Sequence, residues 1–303
     1  MTGRRMTDTD LKARARGLAA ALEPFAGQVY FSPECHENYA KLGFRPSAGQ
    51  FGGVAAPDGP AYFCSRGSVM GQVPGEVIAS AFAVFNPAGV IPGVDFGWSI
   101  TDAATICAAR DAGAIDQLTR VLGAHPDGID QANALLARAV EPLHPAGRPL
   151  YAGLRSLGLP GSAVGDAWRR ADMLREFRGD AHTAAWTSAG FDATEIGMLS
   201  EPYMGLPLRS YVRSRGWSEA ELDGAEVRLT DRGLLEGGAL TDRGREEREA
   251  VEVATDRQCR PFIDALGDDA GELISILAPW GSAIRAAKGY LASGPHDLAS
   301  AFA

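Results

Sequence analysis

A mainly α protein of two helical domains, residues 1–147 and 148–303, with one small β-hairpin in the second, is the fold class this sequence predicts. Three observations predict it. Apolar residues recur at helical spacing along most of the chain. Asp192-Ala193-Thr194-Glu195 and Ser218-Glu219-Ala220-Glu221 are capping boxes, which mark helix starts. The Pro- and Gly-rich stretch from Leu143 to Pro149 supplies the domain boundary.

Taken in order, Ala13 to Gly27 reads as a helix with Leu18, Ala21, Leu22 and Phe25 on one face. Val29 to Pro33 reads as extended, and Pro33 opens a second helix through Tyr39. Gly43 to Pro60 has no periodicity and reads as a loop, followed by Ala61 to Arg66, apolar and aromatic enough to pack. Pro74 starts a helix, Gly75 to Phe85, that is apolar nearly all round and that Asn86-Pro87 ends. Thr101 to Ala112 and Ala114 to Leu122 read as amphipathic helices divided at Gly113, and Asp127 to Glu141 as another. In the second half, Asp166 to Arg178 carries Trp168, Leu174 and Phe177 on an apolar face, and Gly179 interrupts it before Ala181 to Ala189. The Asp192 box opens a short helix through Leu199, and Pro207 begins another over 208–215. The Ser218 box starts a helix bearing Leu222, Ala225 and Leu229. Leu234 to Leu240 gives two short strands around Gly237-Gly238, and Thr241 caps a charged helix from Asp242 towards Leu266. Helix, small hairpin, long helix is the order of a winged helix. A last helix, Glu272 to Leu291, packs through Leu273, Ile274, Leu277, Trp280 and Ile284.

Composition narrows the function. A chain of 303 residues can bury two cores, and 46% apolar with 22% charged residues is the balance of a soluble protein. A net charge of −9 disfavours nucleic acid and anionic membranes as general partners. The helix that a winged helix would offer to DNA, Glu219 to Arg232, holds five acids, Glu219, Glu221, Asp223, Glu226 and Asp231, against Arg228 and Arg232. Phosphates would repel it, since affinity for DNA comes mainly from Lys and Arg on the backbone. No apolar run reaches the roughly 18 residues of a membrane span, and the N-terminal stretch lacks a signal-peptide core. The four cysteines are scattered without a C-x-x-C pair, which suits reduced thiols and a cytoplasmic location. Neither a G-x-G-x-x-G after a strand nor a P-loop nor a G-x-S-x-G elbow occurs, so nucleotide and serine-hydrolase chemistry have no local support.

The densest polar constellation runs from Asp172 to His182. Asp172 and Glu176 share a helix face, Arg175 and Arg178 neighbour them, and Asp180 and His182 follow the Gly179 break. In a functional reading, Asp180 or Glu176 orients His182 as a general base, and the arginines hold an anionic substrate. In a structural reading, Asp180 caps the next helix and Arg175 pairs with Asp172. His182 then lies near a helix start, whose positive end lowers its proton affinity while the carboxylates raise it. A lone His with acids lacks the second imidazole of an H-E-x-x-H helix, so no metal is predicted. A second candidate is Tyr30 to Tyr39. There Glu34 either faces a cavity or complements its helix dipole, and Cys35 is inert unless a cation lowers its pKa. Asn86 either bonds a ligand or caps a helix end. His125 and His144 adjoin prolines in loops and are expected to be exposed.

The wing order, with its long helix opening Leu-Thr-x-x-Gly, resembles that of MarR-type regulators. More specifically, the chain resembles a mostly actinobacterial helix-turn-helix family of unassigned biochemical role, thought to derive from those regulators. The residues that carry the likeness are Tyr30-Phe31-Ser32-Pro33-Glu34, Tyr62-Phe63 with Ser65-Arg66, Gly71 to Pro74, Phe85-Asn86-Pro87, Leu174 to His182, and Ala254 to Arg257. Two departures stand out: Gly67-Ser68-Val69-Met70 replaces an apolar Ala-Pro-Leu segment, and Phe177 stands where the family has His. The resemblance implies the fold and raises Glu176, Arg178, Asp180 and His182 above mere caps; it lends no activity.

Three functions remain open. One is a winged-helix-derived cytosolic protein that binds a small molecule between its halves, through Tyr30, Glu34, Arg66, Asn86 and Arg178, without binding DNA. Another is an enzyme of specialised metabolism using His182 with Asp180 or Glu176, its cofactor unknown. The third is a MarR-like DNA-binding regulator. A homodimer is compatible with each. Polar-aromatic clusters at Tyr30 to Glu34 and Ser65-Arg66 imply that the N-terminal half completes any site.

Overall fold

In the computed structural model, which describes residues 6–292, side-chain caps set where most helices begin. Thr7 opens α1 (Asp8–Gly27), Ser32 opens α2 (Pro33–Leu42) and Asp58 opens α3 (Gly59–Gly67), each accepting a backbone N–H of the first turn. Between α1 and α2 the chain makes a 3₁₀ turn, Gln28–Tyr30, where an extended piece was expected. The expected loop before α3 contains a hairpin, β1 (Gly49–Phe51) against β2 (Val54–Ala56), closed by Gly52 and Gly53 at positive φ.

α4 (Gly75–Phe82) ends before Phe85, and Asn86 does not end it. Asn86 caps α5 (Pro87–Ile100), accepting the Ala88 N–H at 3.0 Å. The sequence hid α5 behind Pro92 and three glycines, all poor helix formers, which burial of Val90 and Val94 overrides. α6 (Ala103–Leu122) runs unbroken through Gly113, which marks a close approach and not a break. A Cβ there would lie 2.6 Å from the Cys35 backbone on α2. α7 (Ile129–Val140) and α8 (Pro149–Ser156) follow.

α9 (Ala163–Ser188) is a single helix of 26 residues that passes straight through Gly179. Glycine costs a helix roughly 1 kcal/mol against alanine, and fully buried neighbours such as Phe177 and Ala181 offset that here. His182 is therefore in mid-helix, and Asp180 caps no start of its own. α10 (Ala193–Tyr203) and α11 (Glu219–Asp231) open with the two complete capping boxes. β3 (Leu235–Glu236) pairs with β4 (Ala239–Leu240) around Gly237 and Gly238, and Thr241 caps α12 (Asp242–Gln258). The expected helix over 208–215 is only a 3₁₀ turn, Val212–Arg215. The long charged helix stops at Cys259, and α13 (Arg260–Leu266), with Pro261 in its first turn, starts anew. α14 (Ala270–Ala286) ends early, and Lys288 at φ 57° turns the chain back towards α1.

The fold is mainly α, and its buried apolar residues form two cores. The first runs from Leu11 to Leu291 and draws on both sides of the 147/148 junction, through Leu143 before it and Leu150, Tyr151 and Leu154 after it. The second is the winged helix: the end of α9 (Ala185, Trp186), α10, α11, Leu234 and Leu235 of the wing, and Val251 of α12. α9 belongs to both and packs on α1, α6, α7, α8 and α12. Among the described residues no helix is long and apolar enough to cross a membrane.

Gly113→Ala should push α2 off α6. Overpacking of this kind costs about 1–3 kcal/mol, which calorimetry would read as a fall in Tm of a few degrees. Gly89→Ala on α5, where a Cβ meets nothing within 4 Å, should leave Tm level or raise it. An unchanged Tm for Gly113→Ala would mean that the α2–α6 contact is soft.

Candidate functional site

A cavity of about 560 Å³ opens between the two cores, within the range of roughly 300–1,000 Å³ usual for small-molecule sites. α9 explains its position. Arg175, Gly179, His182 and Trp186 follow one another at helical spacing along the stretch that leaves the first core and enters the second. The first core adds Glu23, Tyr30, Tyr62, Arg66, Phe82 and Phe85, and the winged helix adds Glu201, Tyr211, Arg215, Arg248 and Glu252.

One wall is organised around Glu176, buried on α9. Arg66 donates to both its oxygens at 3.1 and 2.9 Å, Arg175 donates at 2.9 Å, and the Tyr30 hydroxyl at 3.1 Å. Burial opposes the charge of Glu176, but Arg66, Arg175 and the hydroxyl outweigh it and bring the carboxyl down to about 2. Arg175 also holds Glu23 of α1 at 3.1 Å, and Tyr290 donates to Glu23 at 2.7 Å. Arg175 thus ignores Asp172, which pairs instead with the buried Arg110 at 2.5 Å.

The opposite wall is organised around Glu252 of α12. Arg248 and Arg178 each approach it to 2.7 Å, and against the penalty of burial they hold it well below the carboxylate range. His182 Nδ1 lies 3.1 Å from the Thr255 hydroxyl and 3.7 Å from Glu252. Thr255 donates its own proton to the Val251 carbonyl at 2.8 Å, so towards His182 its oxygen accepts. Nδ1 therefore carries the proton of the neutral ring, and Nε2 keeps the lone pair. Burial lowers the His182 pKa to about 3, Glu252 pulls it up, and Arg248 and Arg178 push it further down. The imidazole is neutral at pH 7 because it is largely enclosed and faces Arg248 and Arg178, not because it starts a helix.

Asp180, 5% exposed, accepts the Tyr151 N–H at 3.0 Å and so caps α8. Burial raises its pKa to about 7 against that hydrogen bond, with Glu176 adding to the rise. Between the walls lie rings in mutual contact: Tyr62 meets Tyr30, Phe63, Phe82 and Phe85 at centroid distances of 5.3 to 6.2 Å. The strap 207–216 closes the winged-helix side. Glu201 accepts the backbone N–H groups of Arg209, Tyr211 and Val212 at 2.5, 2.6 and 2.6 Å, which keeps this stretch from becoming a longer helix.

The structure brings Tyr30, Arg66, Glu176, Arg178, Asp180 and His182 to one cavity, and leaves out two residues expected there. Glu34 is held outside by Arg120 at 2.5 Å and Ser32 at 3.1 Å, and Asn86 is occupied as the α5 cap and by the Gly216 carbonyl at 3.1 Å. Cys35 is a buried thiol whose pKa burial pushes up to about 12. Among the described residues no group of three or more His, Cys, Asp or Glu side chains could hold a metal ion. Sequence reasoning missed Glu23, Glu201, Arg215, Arg248 and Glu252. Glu23, in the apolar stripe of Leu22 and Phe25, carried a usable signal, as did Arg248 and Glu252 spaced i,i+4 beside Val251. Glu201 and Arg215 carried none.

A model of a helix-turn-helix family matches residues 15–291, which is most of the chain. No curated protein and no solved structure matches it.

The Glu176 network sets an acid limit. Its carboxyl titrates near 2 in the fold and near 4.5 when unfolded, so the unfolded chain takes up the proton first. The stabilisation is complete above pH 4.5 and disappears as pH falls towards 2. Glu176→Gln should flatten part of that decline in urea unfolding and cost about 3–5 kcal/mol at pH 7, because Arg66 loses its one ion-pair partner among the described residues. An identical acid profile in the two proteins would contradict this account.

Proposed function

Since the chain belongs to this helix-turn-helix family, we propose that it is a winged-helix-derived protein that binds a small molecule in the cavity between its two cores and has no DNA-binding role. The observation that carries this is the cavity itself, walled by rings in edge-on and tilted contact and by charges already paired from both sides, so that a ligand need not order them. The surface of α11 supports the second half. Arg209 engages Glu219, Asp223 and Glu226, while Arg228 and Arg232 are spent on Asp192, Glu195 and Glu247. Neither Arg228 of α11 nor Arg232 at its C-cap is left for a phosphate. Descent from a MarR-type regulator accounts for a wing kept without a basic helix. Four free, buried cysteines suit a cytosolic setting.

A second reading, acid–base catalysis in the same cavity, is favoured by one pair of facts. Asp180 titrates near neutrality, and His182 offers an Nε2 lone pair. Under this reading turnover of the bound compound falls at least about hundredfold in both His182→Ala and Asp180→Asn.

Native mass spectrometry of the full chain from an actinobacterial expression host should show a retained compound that leaves on denaturation. His182→Ala should lose it while Tm changes by no more than a few degrees, because its side chain is 23% exposed and bonds only Thr255 closely. Loss of Tm without loss of the compound would make His182 structural. Anisotropy with duplex from the gene's own promoter should give a Kd no tighter than about 10⁻⁶ M at physiological salt. A submicromolar, sequence-selective Kd with no retained compound would overturn the proposal in favour of a regulator.

A further inference from the structure

The arginines around the cavity are not equivalent. Arg66, Arg175, Arg178 and Arg248 each meet a carboxylate within 3.1 Å. Arg215 meets none within 4 Å among the described residues. Among the described residues its guanidinium makes one hydrogen bond, to the Tyr211 hydroxyl. The guanidinium is stacked against Phe85 at 4.4 Å and Tyr211 at 4.5 Å, which fixes its plane, and its other N–H donors meet no acceptor among the described residues. Glu201 of α10, which anchors the strap, has both oxygens turned into the strap's backbone N–H groups.

Charge around Arg215 points the same way. The groups it feels most are Tyr62, Arg66, Arg175 and Tyr290, all of which line the cavity, and two of them are cations. Burial and those two arginines disfavour its charge, and no carboxylate of the described residues forms an ion pair with it. The surroundings are rings: Phe85, Phe82, Tyr62 and Phe63 form one contact cluster beside it. A planar donor fork on an aromatic floor matches one acidic group on a ring-bearing body.

We propose that the ligand of this cavity is an aromatic or otherwise ring-bearing monoanion whose acidic group is bound by Arg215. The proposal rests on the reading of the cavity as a small-molecule site and adds the chemical class. Arg215 is a specificity residue in it: the rings and the paired walls supply shape, and Arg215 supplies the sign of charge.

Two fluorescent probes of nearly equal ring system separate these contributions: anilinonaphthalene sulfonate, an anion, and N-phenyl-naphthylamine, its neutral counterpart. Titrated into the full chain at pH 8, the anion should bind at one site about tenfold or more tightly than the neutral probe. Arg215→Gln should erase that preference while leaving the affinity for the neutral probe within about twofold. Arg213→Gln, which removes the same charge from an exposed side chain paired with Glu219 outside the cavity, should keep it. Circular dichroism of both variants checks that they fold; for a misfolded Arg215→Gln, Arg215→Lys, which keeps the charge and loses the fork, should retain a reduced preference. If the wild type binds both probes equally, or Arg215→Gln keeps the preference, the monoanion is overturned while the cavity stands. If neither probe binds, the reading of the cavity as a ligand site fails as well.

Discussion

Everything in this fold depends on one helix carrying charges where there is no water to solvate them. Along α9, Asp172, Glu176 and Asp180 are each at most 5% exposed, and the side chains of Arg175 and Arg178 are 16% and 14% exposed. An ion removed from water costs several kcal/mol unless another group replaces the water. Each of these five charges is met by a different element: Asp172 by α6, Arg175 by α1, Glu176 by α3, Arg178 by α12, and Asp180 by the backbone of α8. Apolar burial supplies most of the driving force but is non-directional. The pairings decide which helix lies where, because a helix docked in another register would strand a charge.

The same constraint produces the cavity. Helices that meet through arginine–carboxylate bridges stand further apart than helices that meet through alanine or leucine, and the side chains of the described residues do not fill the space between the Glu176 and Glu252 networks. Its polar lining is already fixed, so the groups facing a ligand need little ordering on binding. The strap is held as firmly. Arg209 adopts φ 62°, an arrangement that costs a non-glycine residue of the order of 1–3 kcal/mol. Glu201 on one side, and Asp223 and Glu226 on the other, over-determine it. That tension places Tyr211 and Arg215 on the cavity wall.

Much of this was legible in the residues, and what was not has physical causes. The two capping boxes, the Thr241 cap and the Gly237-Gly238 turn depend on neighbours three or fewer positions away, and each formed as read. The string from Glu176 to His182 was legible as a polar cluster facing one place. Its partners were not, since Glu23 lies 152 positions from the Arg175 it binds and Arg66 lies 110 from Glu176. Gly113 and Gly179 were read as breaks because local propensity favours that, while the tertiary fold uses one for a close helix crossing and carries the other inside a packed helix. Pro and Gly hid α5 for the same reason. The Pro- and Gly-rich stretch at 143–149 marks a turn between helices of one core, because Leu143 and Leu150 on either side of it are buried together.

The junction between the cores adds a final consequence. Asn86 donates its backbone N–H to the Arg215 carbonyl at 2.9 Å and its amide to the Gly216 carbonyl, and Trp217 donates to the Val84 carbonyl at 2.9 Å. The elbow that supplies Phe85 to the cavity is thus stitched to the strap that supplies Arg215, and two residues later the strap becomes the Ser218 cap of α11. In a DNA-binding winged helix, a wall shared between a pocket and the recognition helix would transmit occupancy to that helix. On the function proposed above, with α11 presenting acids, three of them tied to Arg209, the shared wall would act on the joint itself. A molecule bound across Phe85 and Arg215 contacts both cores at once. By linkage it stabilises their closed arrangement in proportion to the logarithm of its concentration over its dissociation constant.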